Sequence, residues 1–270
     1  MPPKKVKKDS SLPVVLPIRE DDGDRELNES IHPNLPKAPS VICIYASFRS
    51  GKSVLVNNFF LNPNFLRGKL DKVYYYSPTA RNDASCKFLQ DEEGVEIIDD
   101  YTDDHLNALL DFQMETAKED RDKIAVVFDD AIQYLHSRKS AGNFLATRFR
   151  HYNIKYLFYV SQSFRALDTK VRGNSKGVIV MKIANLKELE KLDEEYGAMV
   201  GGRFIDLYNY ALGDQPYSFL YINIDANPVE AYLRFERQIY PSSEFPPSKK
   251  FQSLVGEPLK KVQPKEVEGS

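Results

Sequence analysis

Runs of β-branched and aromatic residues alternate with stretches of helical spacing from about residue 39 to residue 240 of this chain. The apolar runs predict strands at Val41–Tyr45, Lys72–Ser77, Val95–Ile98, Ile124–Phe128, Ile154–Val160, Gly177–Ile183, Tyr217–Ile224 and Val229–Phe235. Helical patterns fall at Lys52–Leu61, Thr102–Glu119, Ser140–Phe149, Leu186–Tyr196 and Gly202–Ala211. Asp103 behind Thr102 suits a helix start, because acids there complement the helix dipole. Near-continuous apolar strands separated by helices indicate an α/β fold with a mostly parallel central sheet and helices on both faces. The last two runs, joined by Asp225-Ala226-Asn227-Pro228, read as an antiparallel hairpin at the C-terminal edge.

The expectation is one domain over residues 39–240 between two tails. Residues 1–38 read as disordered, since Pro2, Pro3, Pro13, Pro17, Pro33 and Pro36 interrupt every run. Residues 241–270, rich in Pro, Lys and Ser, read as mobile. Pro2-Pro3-Lys4-Lys5-Val6-Lys7-Lys8 reads as a solvated basic tail, with a nuclear address or a nucleic-acid-binding arm as the alternatives.

Composition adds limits. The chain is 42% hydrophobic and 28% charged, as in a soluble globular protein. Its apolar runs fall short of the ~20 residues of a membrane span, and no signal-peptide pattern opens it. Cys43, inside the first strand, and Cys86, in a polar stretch, form no disulfide framework and fit a reducing compartment. His32, His105, His136 and His151 have no metal-ligand spacing.

The net charge of −2 hides a segregation. Asp83 to Asp130 holds sixteen acids and four bases, whereas Arg138 to Lys176 holds nine bases and one acid, Asp168. Such a basic segment suits a polyanionic partner; a basic face paired with the acidic one serves equally well.

The candidate chemistry begins at Ala46-Ser47-Phe48-Arg49-Ser50-Gly51-Lys52-Ser53, a phosphate-binding loop with alanine for its first glycine. A strand precedes it and a helix beginning Lys52-Ser53-Val54 follows, the context such a loop requires. Loop N–H groups and the helix N-terminus would cradle the phosphates of a nucleotide. Lys52 would reach the β- and γ-phosphates, and Ser53 would bind Mg²⁺. Ala46 serves only where φ stays negative, because a Cβ is costly in the left-handed region. A Ser/Gly helix-start turn with a solvated lysine is the simpler reading of these eight residues alone.

Ile124–Phe128 runs into Asp129-Asp130. In phosphate-loop enzymes the strand neighbouring the loop ends in an acid that orders the Mg²⁺ shell, which makes Asp129 the metal candidate. Asp130 then becomes the candidate for polarising the attacking water, against an Asp-rich turn as the structural alternative. The strand after it ends in Ser161-Gln162-Ser163, where Gln162 either senses the nucleotide or stabilises the turn. Arg148 and Arg150 precede that strand; an arginine at a subunit edge can complete a neighbour's site, though surface solvation is the default.

Taken together, Ala46–Ser53, Lys72-Val73-Tyr74-Tyr75-Tyr76-Ser77-Pro78-Thr79, Asp129-Asp130, the block from Arg150 through Gln162 to Ser175, and Tyr217–Asn223 resemble the FtsK–HerA superfamily of P-loop NTPases. Within it they look most like the poxvirus-type DNA-packaging ATPases of large DNA viruses and virophages. The resemblance covers roughly residues 38 to 236. It implies a homo-oligomeric ring of about five or six subunits that uses ATP and Mg²⁺ to push double-stranded DNA into a capsid, with a capsid protein as docking partner. It implies work in the virion or a viral factory of the host cytoplasm, with the nucleus as the alternative. By the same resemblance, Arg150 is the trans-acting arginine, ahead of Arg148 and Arg172, and Gln162 is the sensor. Arg165, Lys170, Arg172 and Lys176 are then the residues that track DNA phosphates. A related helicase or conjugation-type translocase, a nucleotide-binding scaffold and a small-molecule kinase are the competing readings.

Overall fold

The computed structural model describes residues 22–130, 135, 139–213 and 215–241. The Lys4–Lys8 cluster and almost all of the C-terminal tail lie outside the described residues. Among the described residues, nine strands form one sheet: β1 Ser40–Tyr45, β2 Lys72–Tyr76, β3 Val95–Ile98, β4 Ile124–Asp129, β5 Ile154–Ser161, β6 Ser175–Val180, β7 Leu220–Asn223, β8 Glu230–Leu233 and β9 Arg237–Ile239. Their spatial order is β3-β2-β4-β5-β1-β6-β7-β8-β9. The first six are parallel to one another, and β7, β8 and β9 follow with antiparallel pairings, β7 against β6. The anticipated hairpin is therefore extended by β9, whose three residues carry too short an apolar signal to stand out.

Alternation along the strands fills two cores. Val41, Cys43 and Tyr45 of β1 face one layer with Val126 and Phe128 of β4. Ile42 and Ile44 face the other with Ala125 and Val127. Among the described residues, eight helices cover these faces: α1 Asp22–Ser30, α2 Lys52–Leu61, α3 Lys87–Gln90, α4 Asp103–Glu115, α5 Ala141–Arg148, α6 Thr169–Gly173, α7 Leu186–Tyr196 and α8 Phe204–Gly213. Buried residues of α1, α2 and α3 join the second core, and those of α4 to α8 the first.

Helix α4 begins where expected: the Thr102 hydroxyl accepts the His105 N–H at 3.1 Å, and Asp103 and Asp104 occupy the first turn. It ends four residues earlier than its sequence pattern suggests, at Glu115, because Thr116 is extended.

The tail expectation fails for residues 22–38. Residues 22–30 form α1, and Leu27, Ile31, Leu35 and Ala38 are buried in the second core. Lys155 of β5, itself buried, pairs with Asp24 at 2.5 Å, and the Tyr156 hydroxyl donates to Pro36 O at 2.9 Å. Four apolar residues spaced among prolines gave too little periodicity to signal this packing.

Candidate nucleotide site

The C-terminal ends of β1, β4 and β5 converge on one edge of the sheet, and Lys52, Asp129, Asp130 and Gln162 gather there. The order corrects one expectation. The aspartate strand β4 does not neighbour the loop strand β1; β5, which carries Gln162, lies between them. The loop leaves β1 with Ala46 fully buried and its N–H donating to Ser161 O of β5 at 3.0 Å. Ala46 is not among the residues with positive φ, so its Cβ costs nothing there; the left-handed positions are Arg49 (φ 58°) and Gly51 (φ 90°). Ser47 ties the loop to the segment after β6: its N–H donates to Lys182 O at 3.0 Å and its hydroxyl accepts the Ala184 N–H at 2.8 Å. Phe48 is exposed, with the Arg49 guanidinium 5.3 Å from its ring centre. The Ser50 hydroxyl is buried without a partner, a polar atom inside the loop that a phosphate oxygen would satisfy.

Lys52 opens α2 and turns its ammonium toward the aspartates. Its Nζ donates to Asp129 Oδ1 at 3.0 Å and to Asp130 Oδ2. Asp129 is 3% exposed, and its other oxygen, Oδ2, accepts the Tyr75 hydroxyl of β2 at 2.9 Å. Asp130, at φ 52°, also accepts from Gln162 Nε2 at 3.4 Å. The turn carrying Gln162 is closed by Ser161, whose hydroxyl accepts the Ser163 N–H at 3.0 Å. Glu188 of α7 fastens the same turn, accepting from the Ser163 hydroxyl and the Phe164 N–H.

Burial opposes the Lys52 ammonium, but Asp129 and Asp130 outweigh it and hold its pKa above the ordinary lysine value. Burial raises the Asp129 pKa despite the opposing Lys52 charge, and Asp130 adds to the rise. Tyr75 is fully enclosed, and its pKa is raised well above the ordinary value by burial and then by Asp129, so it stays a neutral donor.

Two members of this site were not found from the sequence. Tyr75 stood out in the sequence as strand and as part of the Lys72–Thr79 stretch, without a role of its own. Asp83, in the connection after β2, accepts from the Ser85 N–H at 2.9 Å and the Ser85 hydroxyl at 2.7 Å, and the nearby Ser53 hydroxyl favours its charged form. Partial burial works against its charge, but these bonds and the Lys52 charge hold its pKa below the usual aspartate value. Asn57 of α2 anchors that turn, donating to Ser85 O at 2.7 Å. An acid among sixteen in one acidic stretch carried no signal of its own.

Arg150 lies at the far end of β5. The eight residues of that strand, at about 3.3 Å each, put it roughly 25 Å from Gln162. It lines a cleft of about 460 Å³ with Met114, Arg121 and Lys155, and it is exposed, as is Arg148.

The four residues expected to track DNA do not assemble into one exposed stripe. Arg165 is exposed in the turn after β5, and the Lys170 ammonium sits 4.1 Å from the Phe144 ring centre. Arg172 is a packing residue instead. Its side chain is 13% exposed and pairs with Glu195 at 3.6 Å, and its guanidinium lies 4.1 Å from the Phe164 ring centre. Lys176, the second residue of β6, lies at the opposite end of the sheet and pairs with Asp225 at 3.1 Å.

The donor set fits a magnesium nucleotide: a loop of backbone N–H groups, Lys52, the Ser53 hydroxyl, and Asp129 at a strand tip. Mg²⁺ is commonly held by one or two such protein oxygens together with substrate phosphates. Solved structures agree with this fold. The B204 DNA-packaging ATPase from Sulfolobus turreted icosahedral virus superposes with a TM-score of 0.54 at 17% identity, over 72% of this chain and 96% of that one. This is a P-loop ATPase fold. The genome-packaging NTPase B204 from Sulfolobus turreted icosahedral virus 2, solved in complex with ATP-γS, matches this P-loop chain with a TM-score of 0.53 at 14% identity, over 73% of it and 98% of the viral protein. Its complex with AMP gives 0.54 at 16% identity, over 72% and 96%. No protein-family model matches the chain, and no curated protein matches its sequence. Among the described residues, no helix is long and apolar enough to cross a membrane.

Proposed function

We propose that the protein is an ATP-hydrolysing motor that drives double-stranded DNA into a viral capsid. The observation that carries this reading is the contact of Lys52 with both Asp129 and Asp130, under a strand whose tip presents Gln162. A phosphate loop, a strand-end acid pair and a polar sensor at one sheet edge are the parts that phosphoryl transfer to water needs. Likeness in fold to the packaging ATPase B204 supports the choice of motor over kinase.

On this reading, Lys52 leaves the carboxylates for the β- and γ-phosphates when a nucleotide enters. Mg²⁺, held by Ser53 and Asp129, would neutralise phosphate charge. Asp130, freed of Lys52, accepts a proton from the attacking water, and Gln162 follows the γ-phosphate. Arg150 is too far along β5 to serve its own site, so its role is in a neighbour's, within a ring of about five or six subunits. Exposed Arg165, with Arg148 and Lys170 beside the Phe144 ring, supplies the DNA contact. Such binding is sequence-independent and salt-steep, with log K falling by about 0.9 per phosphate neutralised per log unit of salt. Docking to a capsid protein places the motor at the virion or in the host cytoplasm.

The test is ATP turnover of the purified protein with and without duplex DNA, beside Lys52→Ala. DNA-stimulated turnover abolished by the substitution is the expected result. Turnover indifferent to DNA contradicts the motor, and turnover indifferent to Lys52 contradicts the site.

A further inference from the structure

Tyr217 stands in the turn before β7 with φ 63°, a backbone state that bulky L-residues rarely adopt. Its ring lies against the phosphate loop. A Cβ built on Gly51 would come within 2.9 Å of Tyr217 Cδ1 and 3.5 Å of its Cβ. The ring is nonetheless 71% exposed, so only one side touches the loop and the rest faces solvent. Ser218 behind it is buried, and its N–H donates to Gln215 O at 3.2 Å, which fixes the turn that projects the ring.

A strained, solvent-facing aromatic held against Gly51, at the turn between the phosphate loop and its helix, needs a reason. The second core lies directly beneath, in Phe219 and Tyr221, yet Tyr217 does not join it. Left-handed strain at a non-glycine residue gathers where a side chain must be aimed at a ligand. The loop's other exposed ring, Phe48, already has the Arg49 guanidinium beside it.

The geometry points to Tyr217 as a stacking platform for the base of a nucleotide whose phosphates occupy the loop. This rests on the nucleotide reading above and adds to it the group that recognises the base. Stacking on an aromatic face is tolerant of base identity, so the site would discriminate between nucleotide and bare polyphosphate more than between adenine and guanine.

The experiment is calorimetric titration of the full chain, with Mg²⁺, using β,γ-methylene-ATP and inorganic tripolyphosphate as separate probes. Wild type, Tyr217→Phe and Tyr217→Ala are compared. The platform predicts that Tyr217→Ala weakens the nucleotide analogue roughly 10-fold, leaves tripolyphosphate unchanged, and that Tyr217→Phe behaves as wild type. Equal weakening of both probes overturns it in favour of a ring that merely braces the loop. No change, or tighter nucleotide binding on removing the ring, overturns it also. If the wild type binds neither probe, the nucleotide reading itself fails; if it binds both and the variants do not separate them, only the platform fails.

Discussion

Lys52 and Asp129 are 77 residues apart in the chain, yet their side chains meet at 3.0 Å between Nζ and Oδ1. Both groups are almost wholly withdrawn from water. Removing one partner of such a pair leaves the other as an uncompensated buried charge.

Lys52→Ala is therefore expected to destabilise the nucleotide-free protein by about 3 kcal/mol, besides ending turnover. The effect has a sign with pH. The raised Lys52 pKa means the pair contributes its stability at neutral pH and loses it as alkaline pH strips the ammonium. In the variant, the Asp129-Asp130 repulsion fades as protons return in acid, and the raised Asp129 pKa brings that relief at a higher pH than an ordinary aspartate would. Melting temperatures of both proteins across pH check this: the gap is expected to narrow toward acid, and a gap constant with pH contradicts the charge account.

Tyr75→Phe keeps the ring that fills the second core and removes only the hydroxyl bonded to Asp129 Oδ2. A bond to a charged acceptor of this kind is worth about 1.5 kcal/mol. Denaturant unfolding is expected to report that loss with the m-value unchanged. Turnover is expected to fall several-fold because the carboxylate proposed to hold Mg²⁺ is less firmly aimed. A variant that matched wild type in both measurements would falsify the orienting role of Tyr75.

How much of this was legible beforehand follows from where the information sits. Val41–Tyr45, Ile124–Phe128 and Ile154–Val160 are apolar on both faces, so strand and burial came from local pattern alone, and the observed strands agree to within a residue. The sheet order did not. Insertion of β5 between β1 and β4 is a matter of long-range pairing, which no local periodicity encodes. The same division holds in the site. Lys52, Asp129 and Gln162 were readable as candidates from the loop and the strand ends, whereas Asp83 comes near Ser53 only through a turn stapled by Asn57. Arg172 misled because a basic residue in a basic stretch looks solvated, although its stem and guanidinium cover Phe164.

Arg150 gives a test that needs two variants. Alone, Arg150→Ala is expected to slow turnover by ~10³-fold or more, as for arginines supplied in trans elsewhere. Mixing it with Lys52→Ala subunits recreates some sites having both an intact loop and a neighbour's arginine. Recovered turnover in the mixture supports shared sites, and its absence at every ratio argues that Arg150 is only a surface residue.

Cys43 and Cys86 are both buried and unpaired with each other. Burial pushes the Cys43 thiol up to about 12, and burial raises Cys86 as well. The reactive thiolate is thus scarce at both positions at pH 8. A chromogenic thiol reagent is expected to label neither cysteine in the native protein and both after denaturation. Rapid native labelling of Cys86 would instead mean that the turn carrying Asp83 opens.

Gly51→Ala isolates two separate demands on one backbone position. At φ 90° the new methyl group strains the chain by about 1–2 kcal/mol whatever surrounds it. It also meets the Tyr217 ring at 2.9 Å. In combination with Tyr217→Ala the second cost disappears and the first persists. The double variant is therefore expected to be more stable than the sum of the two single losses predicts, a coupling measurable by thermal unfolding. Nucleotide binding is expected to stay weak in both Gly51 variants, because the strained loop no longer presents its N–H groups in one arc. Simple additivity would show that the ring does not press on the loop in solution, and full recovery of binding in the double variant would show that the contact, rather than the backbone angle, is what Gly51 is there to permit.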